Sequence, residues 1–159
     1  MNKLIHKTAL AAAVLVASFS AAATSTVTFA DPAKMSDVPR FAVDRENLEW
    51  HLREHFENLS KQLPAGQSLT VEVLDIDLAG DVFPRVPVTN VRVMKGRADW
   101  PRLHLRYTIE QDGQVVRSGE KQLSDPNYLM GFNRYSQEIF SHEKQMLEDW
   151  WRKEVVASR

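Results

Sequence analysis

Residues 101–110 constrain the fold more than any other stretch. Leu103, Leu105, Tyr107 and Ile109 alternate with Arg102, His104, Arg106 and Thr108. That two-residue period belongs to a strand with one buried face and one wet face. Asp112-Gly113 follows directly, and a tight I′ hairpin turn needs positive φ at both central residues. Residues 114–123 then return as a polar strand, which places them at a sheet edge. A hairpin with one apolar face demands cover on that face alone.

Two helical patterns supply the cover. In 44–63, Leu48, Leu52, Phe56, Leu59 and Leu63 form one stripe at helical spacing. Asp44 is placed to act as N-cap, and Pro64-Ala65-Gly66 ends the run. In 137–156, Phe140, Leu147, Trp151 and Val155 share a stripe flanked by Trp150. Residues 26–30 read as a short strand. Residues 68–78 read as a strand whose alternation breaks: Val71 and Val73 share one face, Leu74, Ile76 and Leu78 the other. A bulge near Val73-Leu74 would return both sets to the core side. Residues 79–87 read as loop and 88–94 as a short strand. The order predicts an α+β domain: a mostly antiparallel sheet of four to five strands, with two long helices packed on one face. The other face would show Asp75, Asp77, His104 and Arg106, with Arg102 and Arg117 balancing the acids.

The first 23 residues stand apart. Lys3 and Lys7 precede an uncharged apolar run over 8–19, and Ala21-Ala22-Ala23 supplies small residues for cleavage. This is the pattern of a secretory signal peptide, with cleavage expected after Ala23. The run is too short to span a bilayer, which takes roughly 20 apolar residues, so no membrane span is expected after cleavage. The remaining 24–159 is expected to form one periplasmic domain of formal charge −3, once the two lysines of the segment are gone. The chain has no cysteine. That excludes a disulfide framework, a cysteine zinc site and a thiol nucleophile. An acidic balance without aromatic-laced basic patches excludes nucleic acid as a partner.

Several segments resemble one family in order along the chain: VEVLDIDLAG (71–80), PRLHLRYTI (101–109), DGQVVRSGEKQLSD (112–125), NYLM (127–130) and HEKQMLEDWW (142–151). Together they resemble the bacterial domain-of-unknown-function family numbered 3016. The most specific pieces are Asp-x-Asp-Leu-Ala-Gly and Glu-Lys-x-Met-Leu-x-Asp-Trp. The resemblance implies an exported, Gram-negative protein and a fold. It carries over no catalytic residue.

Three residue groups could carry chemistry. His51-Leu52-Arg53-Glu54-His55 fits H-x-x-E-H. Two histidines four apart on a helix share a face and can hold one zinc ion, with Glu54 as base toward a bound water. A third ligand is needed, and Glu138 and Glu143 lie downstream. Asp75 and Asp77, at i and i+2 on a strand, point to the same side, and Asp81 could complete a cation or ligand site with them. Trp50 lies opposite its helix stripe and is expected to be exposed, while Trp150 and Trp151 are expected in the core. No G-x-S-x-G, P-loop or G-x-G-x-x-G motif occurs. The residues favour a protein that works by binding, without a cofactor. Its partner would be another envelope protein or a small ligand, held through the polar sheet face or the loop 79–87, with Asp75, Asp77 and Asp81 as the candidate binding residues. The alternative is a zinc-dependent hydrolase built on His51, Glu54 and His55. A further reading has the edge strand pairing with a partner strand.

Overall fold

A computed structural model describes residues 23–83 and 91–157. The expected signal peptide thus lies almost wholly outside the described residues. The chain runs through β1 (Thr24–Phe29), a short helical turn at Pro32–Lys34, α1 (Ala42–Ser60), β2 (Gln67–Asp77), β3 (Asp81–Val82), β4 (Arg92–Val93), β5 (Arg102–Gln111), β6 (Gln114–Ser124) and α2 (Ser141–Trp150). A π-helical turn, Trp151–Val156, continues α2.

Four strands form the main sheet in the order β1-β2-β5-β6. The β2–β5 and β5–β6 pairs are antiparallel, as the hairpin pattern predicts. Asp112 and Gly113 have φ of 53° and 77°, the I′ geometry their types allow. β1, however, pairs parallel to β2. The sheet is mixed, and the expectation of a mostly antiparallel sheet is corrected. The reason is topological: a parallel neighbour needs a long crossover, and α1 is that crossover. Sequence alternation carries no sign of strand direction, so β1 gave none.

Two other differences concern the length of α2 and a second, smaller sheet. α2 spans 10 residues against the 19 of α1, so the helices are not both long. Residues 137–140 stay outside α2, whose entry is Phe140 at φ 55°. A left-handed residue cannot lie within a right-handed helix. The π turn at the other end coincides with two adjacent tryptophans, Trp150 and Trp151, that are both buried. The second difference is β3, which lies where 79–87 reads as loop and pairs in a small ribbon with β4, itself inside the 88–94 strand reading; residues 84–90 of those two readings lie outside the described residues. Gly80 makes the ribbon's close approach possible. Its φ is +72°, and a Cβ there would lie 2.7 Å from the Val93 carbonyl oxygen.

The core follows the stripes. Leu48, Leu52, Phe56, Leu59 and Leu63 from the first helix and its exit meet Leu69, Val71, Val73 and Ile76 of β2 and Leu103, Leu105, Tyr107 and Ile109 of β5. Leu147, Trp150, Trp151 and Val155 close the same cluster. Both helices therefore pack on one face of the sheet. The β2–β5 register slips between Val73 and Asp75. That bulge puts Val71, Val73, Ile76 and Leu78 all on the core side. Gly119 leaves room for the Tyr107 ring, whose nearest carbon would be 3.0 Å from an added Cβ. Trp50 is 56% exposed, as its place opposite the stripe requires.

Both sheet edges are guarded. On β6, Arg117 and Lys121 sit at core-side positions opposite Ile109 and Leu105. Arg117 donates to the carbonyls of Glu154 and Val155, both at 2.9 Å, and Lys121 pairs with Glu154. Arg117 shares the parity of Leu123, so it lies on the helix side and not on the polar face expected for it. On β1, the Arg53 guanidinium donates to the Val27 carbonyl at 3.3 Å. Inward-pointing charge and covered edge carbonyls discourage strand addition.

Candidate functional site

The face of the sheet away from the helices carries a charged ladder. Glu72, Arg106 and Glu120 are direct neighbours across β2, β5 and β6. The register alone brings them side by side, since opposite residues lie about 5 Å apart at Cβ. Arg106 donates from Nη1 to Glu72 at 2.7 Å and from Nη2 to Glu120 at 3.0 Å. His104 Nε2 lies 2.8 Å from the other Glu120 oxygen. The His104 hydrogen bond, and then Arg106, hold the Glu120 carboxyl below its ordinary range. Below the ladder, Arg102 pairs with Asp77 and stacks over the Trp100 ring at 4.7 Å from its centroid. The result is an open face of fixed, alternating charge.

The three aspartates picked out by sequence are each engaged separately. Asp75 accepts from the Ser36 amide at 2.6 Å and from its hydroxyl at 2.7 Å. It thereby pins the segment after β1 against the end of β2, where the Asp37 amide also donates to the Ile76 carbonyl at 2.8 Å. Asp77 goes to Arg102, and Asp81 goes to Lys95 across the small ribbon. The three carboxylates do not converge on one site. Arg102 balances the acids as expected, through Asp77, but Ser36 and Lys95 are not revealed by spacing.

His51 and His55 do share the α1 face that turns toward the entry of α2. His55 is 4% exposed and stands edge-on to Tyr135 at 5.1 Å between centroids. Burial, reinforced by the Lys144 ammonium, pushes its pKa down to about 4, so it is neutral near pH 7. His51 is lowered by the same two causes. Glu54 lies 3.9 Å from His51 Nδ1. Of the two downstream acids, Glu138 falls beside the pair, but it binds the buried Lys144 Nζ at 2.6 Å. Glu143 points elsewhere. Among the described residues no group of three His, Asp or Glu is placed to hold a metal ion. A fixed ammonium next to both imidazoles opposes a second cation there, so these residues do not fit zinc well.

Sequence reading missed two polar ties. Buried Glu143 accepts from the Ala79 amide at 2.7 Å. Arg92 donates to the carbonyls of Leu78 (2.9 Å) and Ala79 (2.7 Å), and to Gly80 and Asp37. The Leu-Ala-Gly exit of β2 and the Glu-Lys start of α2 therefore meet in space. The two most specific segments of the chain are two halves of one junction. The signal available was chemical: a Glu and a Lys both within an otherwise apolar helix face need buried partners.

A family model described as a protein of unknown function, DUF3016, matches residues 23–153. The chain belongs to that family. The match spans every element of the fold from β1 through α2, so the DUF3016 unit is this mixed sheet with its two helices. No curated protein and no solved structure matches the chain. No described helix is long and apolar enough to cross a membrane.

Proposed function

We propose that this DUF3016 protein is exported to the periplasm and works there as a non-enzymatic binding protein, holding another envelope protein against the open face of its sheet. The observation that carries the reading is the ladder Glu72–Arg106–Glu120–His104. It lies on a face that no described helix covers. Charges held in a fixed alternating row supply partner choice and register more than raw affinity. Asp75, Asp77 and Asp81 serve this face indirectly, by fixing the loops and strand ends around it. The signal-like first 23 residues support the compartment.

The direct test is copurification from periplasm. Arg106→Glu reverses the centre of the ladder, while its ion pairs are exposed and add little to stability. The partner is expected to be lost while the protein stays folded, with only a modest drop in melting temperature from the new carboxylate set between Glu72 and Glu120. A partner retained by Arg106→Glu places the binding surface elsewhere. The zinc-hydrolase alternative predicts chelator-sensitive peptidase activity that disappears in Glu54→Gln while metal is retained. The Lys144–Glu138 pair beside His51 and His55 weighs against it.

A further inference from the structure

On the helix side of the sheet, residues 131–140 run along the start of α2 and reach α1 as a strap. Their ties to α2 are polar. Asn133 Nδ2 donates to the Ser141 carbonyl at 3.1 Å, the Arg134 amide to Gln145 Oε1 at 3.0 Å and the Tyr135 hydroxyl to Glu148 at 3.2 Å. Toward α1 the strap presents two rings, one on each histidine. Tyr135 stands edge-on to His55 at 5.1 Å between centroids, and Phe140 meets His51 at 5.9 Å.

Three features mark this strap as a part that opens. Its last residue, Phe140, is held at φ 55° and ψ 37°, a conformation that a residue with a side chain rarely adopts and that stores strain. His55 is buried, and its Nε2 has no hydrogen-bond partner; the same holds for His51 Nδ1. A protonated imidazole carries N–H on both nitrogens, so a proton taken up under the closed strap would leave a buried donor unanswered. The third feature is the surrounding charge. α2 contributes the sealed Lys144 ammonium, and the strap contributes Glu138, which that ammonium already binds. α1 contributes Glu54, half-exposed and 3.9 Å from His51. Glu148 is engaged by Tyr135 and Arg134 of the strap. Two imidazolium rings would therefore join one ammonium in a closed space whose nearest acid is spoken for.

We propose that residues 131–140 form an acid-released strap, closed over His51 and His55 while both are neutral and swung off α1 about Phe140 when they take up protons. Release uncovers the histidine face of α1 and spares the sheet, because the buried core contains no strap residue and only the partly buried Phe140 packs against it. Burial, then Lys144, hold His55 down to about 4, against the opposing pull of a Lys144 backbone hydrogen bond and Glu138. In the open form it returns to about 6.5. The closed strap thus keeps its full advantage above pH 6.5 and loses it as pH falls toward 4. The ratio of open to closed should rise about a hundredfold between pH 7 and pH 4. The Lys144 hydrogen bond holds the Glu138 carboxyl below its ordinary range, so the histidines take up protons first. The inference stands apart from the sheet-face reading, because strap and ladder lie on opposite faces of the sheet and share no residue.

The test is a pH titration from 7 to 4 of the purified, isotope-labelled protein by NMR. It reads the His55 imidazole, the Tyr135 ring, the Glu138 amide and, for the sheet, the Leu105 amide. Tyr135 and Glu138 are expected to leave their closed positions at the midpoint of His55 protonation, with Leu105 unmoved. His55→Phe keeps a ring beside Tyr135 and takes up no proton there, so it should lose most of the hundredfold rise. Should that variant not fold, the coincidence of the His55 and Tyr135 midpoints in the unaltered protein decides alone. A strap still closed at pH 4 overturns the proposal, as does protonation of His55 without movement of Tyr135. Loss of the Leu105 and Tyr135 signals in one step overturns it too, since the whole domain would then be unfolding. So does opening that is unchanged in His55→Phe.

Discussion

The two faces of the sheet both carry charge, and they use it in opposite ways. On the helix side, Glu143, Lys144 and His55 are buried among apolar side chains, each answered by a particular partner or held neutral. On the open side, Glu72, Arg106 and Glu120 are wet and paired with one another. A buried polar group that loses its partner is expensive, whereas an exposed pair contributes little. The helix side therefore specifies the fold, and the open side is free to vary its chemistry without unfolding the protein. Where charge is sealed, it points to architecture. Where it is ordered and exposed, it points to recognition.

Substitutions on the two faces should separate sharply. Trp151→Ala, which empties the largest fully buried side chain, should cost about 3–5 kcal/mol in urea unfolding. Acidification comes next. His55 has its pKa held down to about 4 in the folded protein, against about 6.5 when unfolded. The unfolded chain then binds more protons between those values. Stability should be complete above pH 6.5 and fall as pH drops toward 4, by about 3 kcal/mol in all. His51 is shifted in the same direction and adds to the slope. In His55→Phe the slope should shrink to what His51 and the carboxylates leave. Denaturant midpoints measured from pH 7 to 4 check this, and an unchanged slope would mean that His55 is already protonated or exposed.

Smaller effects follow. Glu143→Ala strands the Ala79 amide and should cost about 1–3 kcal/mol, with faster amide exchange at Ala79. Arg106→Ala should leave the unfolding midpoint where it is, with no added salt dependence beyond surface screening. If Arg106→Ala destabilised the protein as much as Glu143→Ala, the contrast between the faces would fail.

The pattern of legible and illegible features follows the same division. The β5 alternation, the Asp112-Gly113 turn, the α1 stripe and the β2 bulge were all readable, because each is a local period written in adjacent residues. The parallel docking of β1, the β3–β4 ribbon and the late start of α2 were not. They depend on strand direction, on Gly80 meeting the Val93 carbonyl and on Phe140 adopting a left-handed turn. The site residues divide likewise. His51, Glu54 and His55 were visible as spacing, but Lys144 and Glu138 lie more than eighty residues away and decide what the histidines can do. Asp75, Asp77 and Asp81 looked like a set because Ser36 and Lys95 were out of view, although Arg102 was already expected to balance the acids.

The central claim is that the open sheet face recognises a partner. A photoreactive residue at Gln122, on that face beside the ladder, and another at the exposed Asn58 on α1 test it in living cells. The account predicts one discrete crosslinked species from Gln122, abolished by Arg106→Glu, and none from Asn58. No crosslink at Gln122, or the same species from both positions, would contradict it.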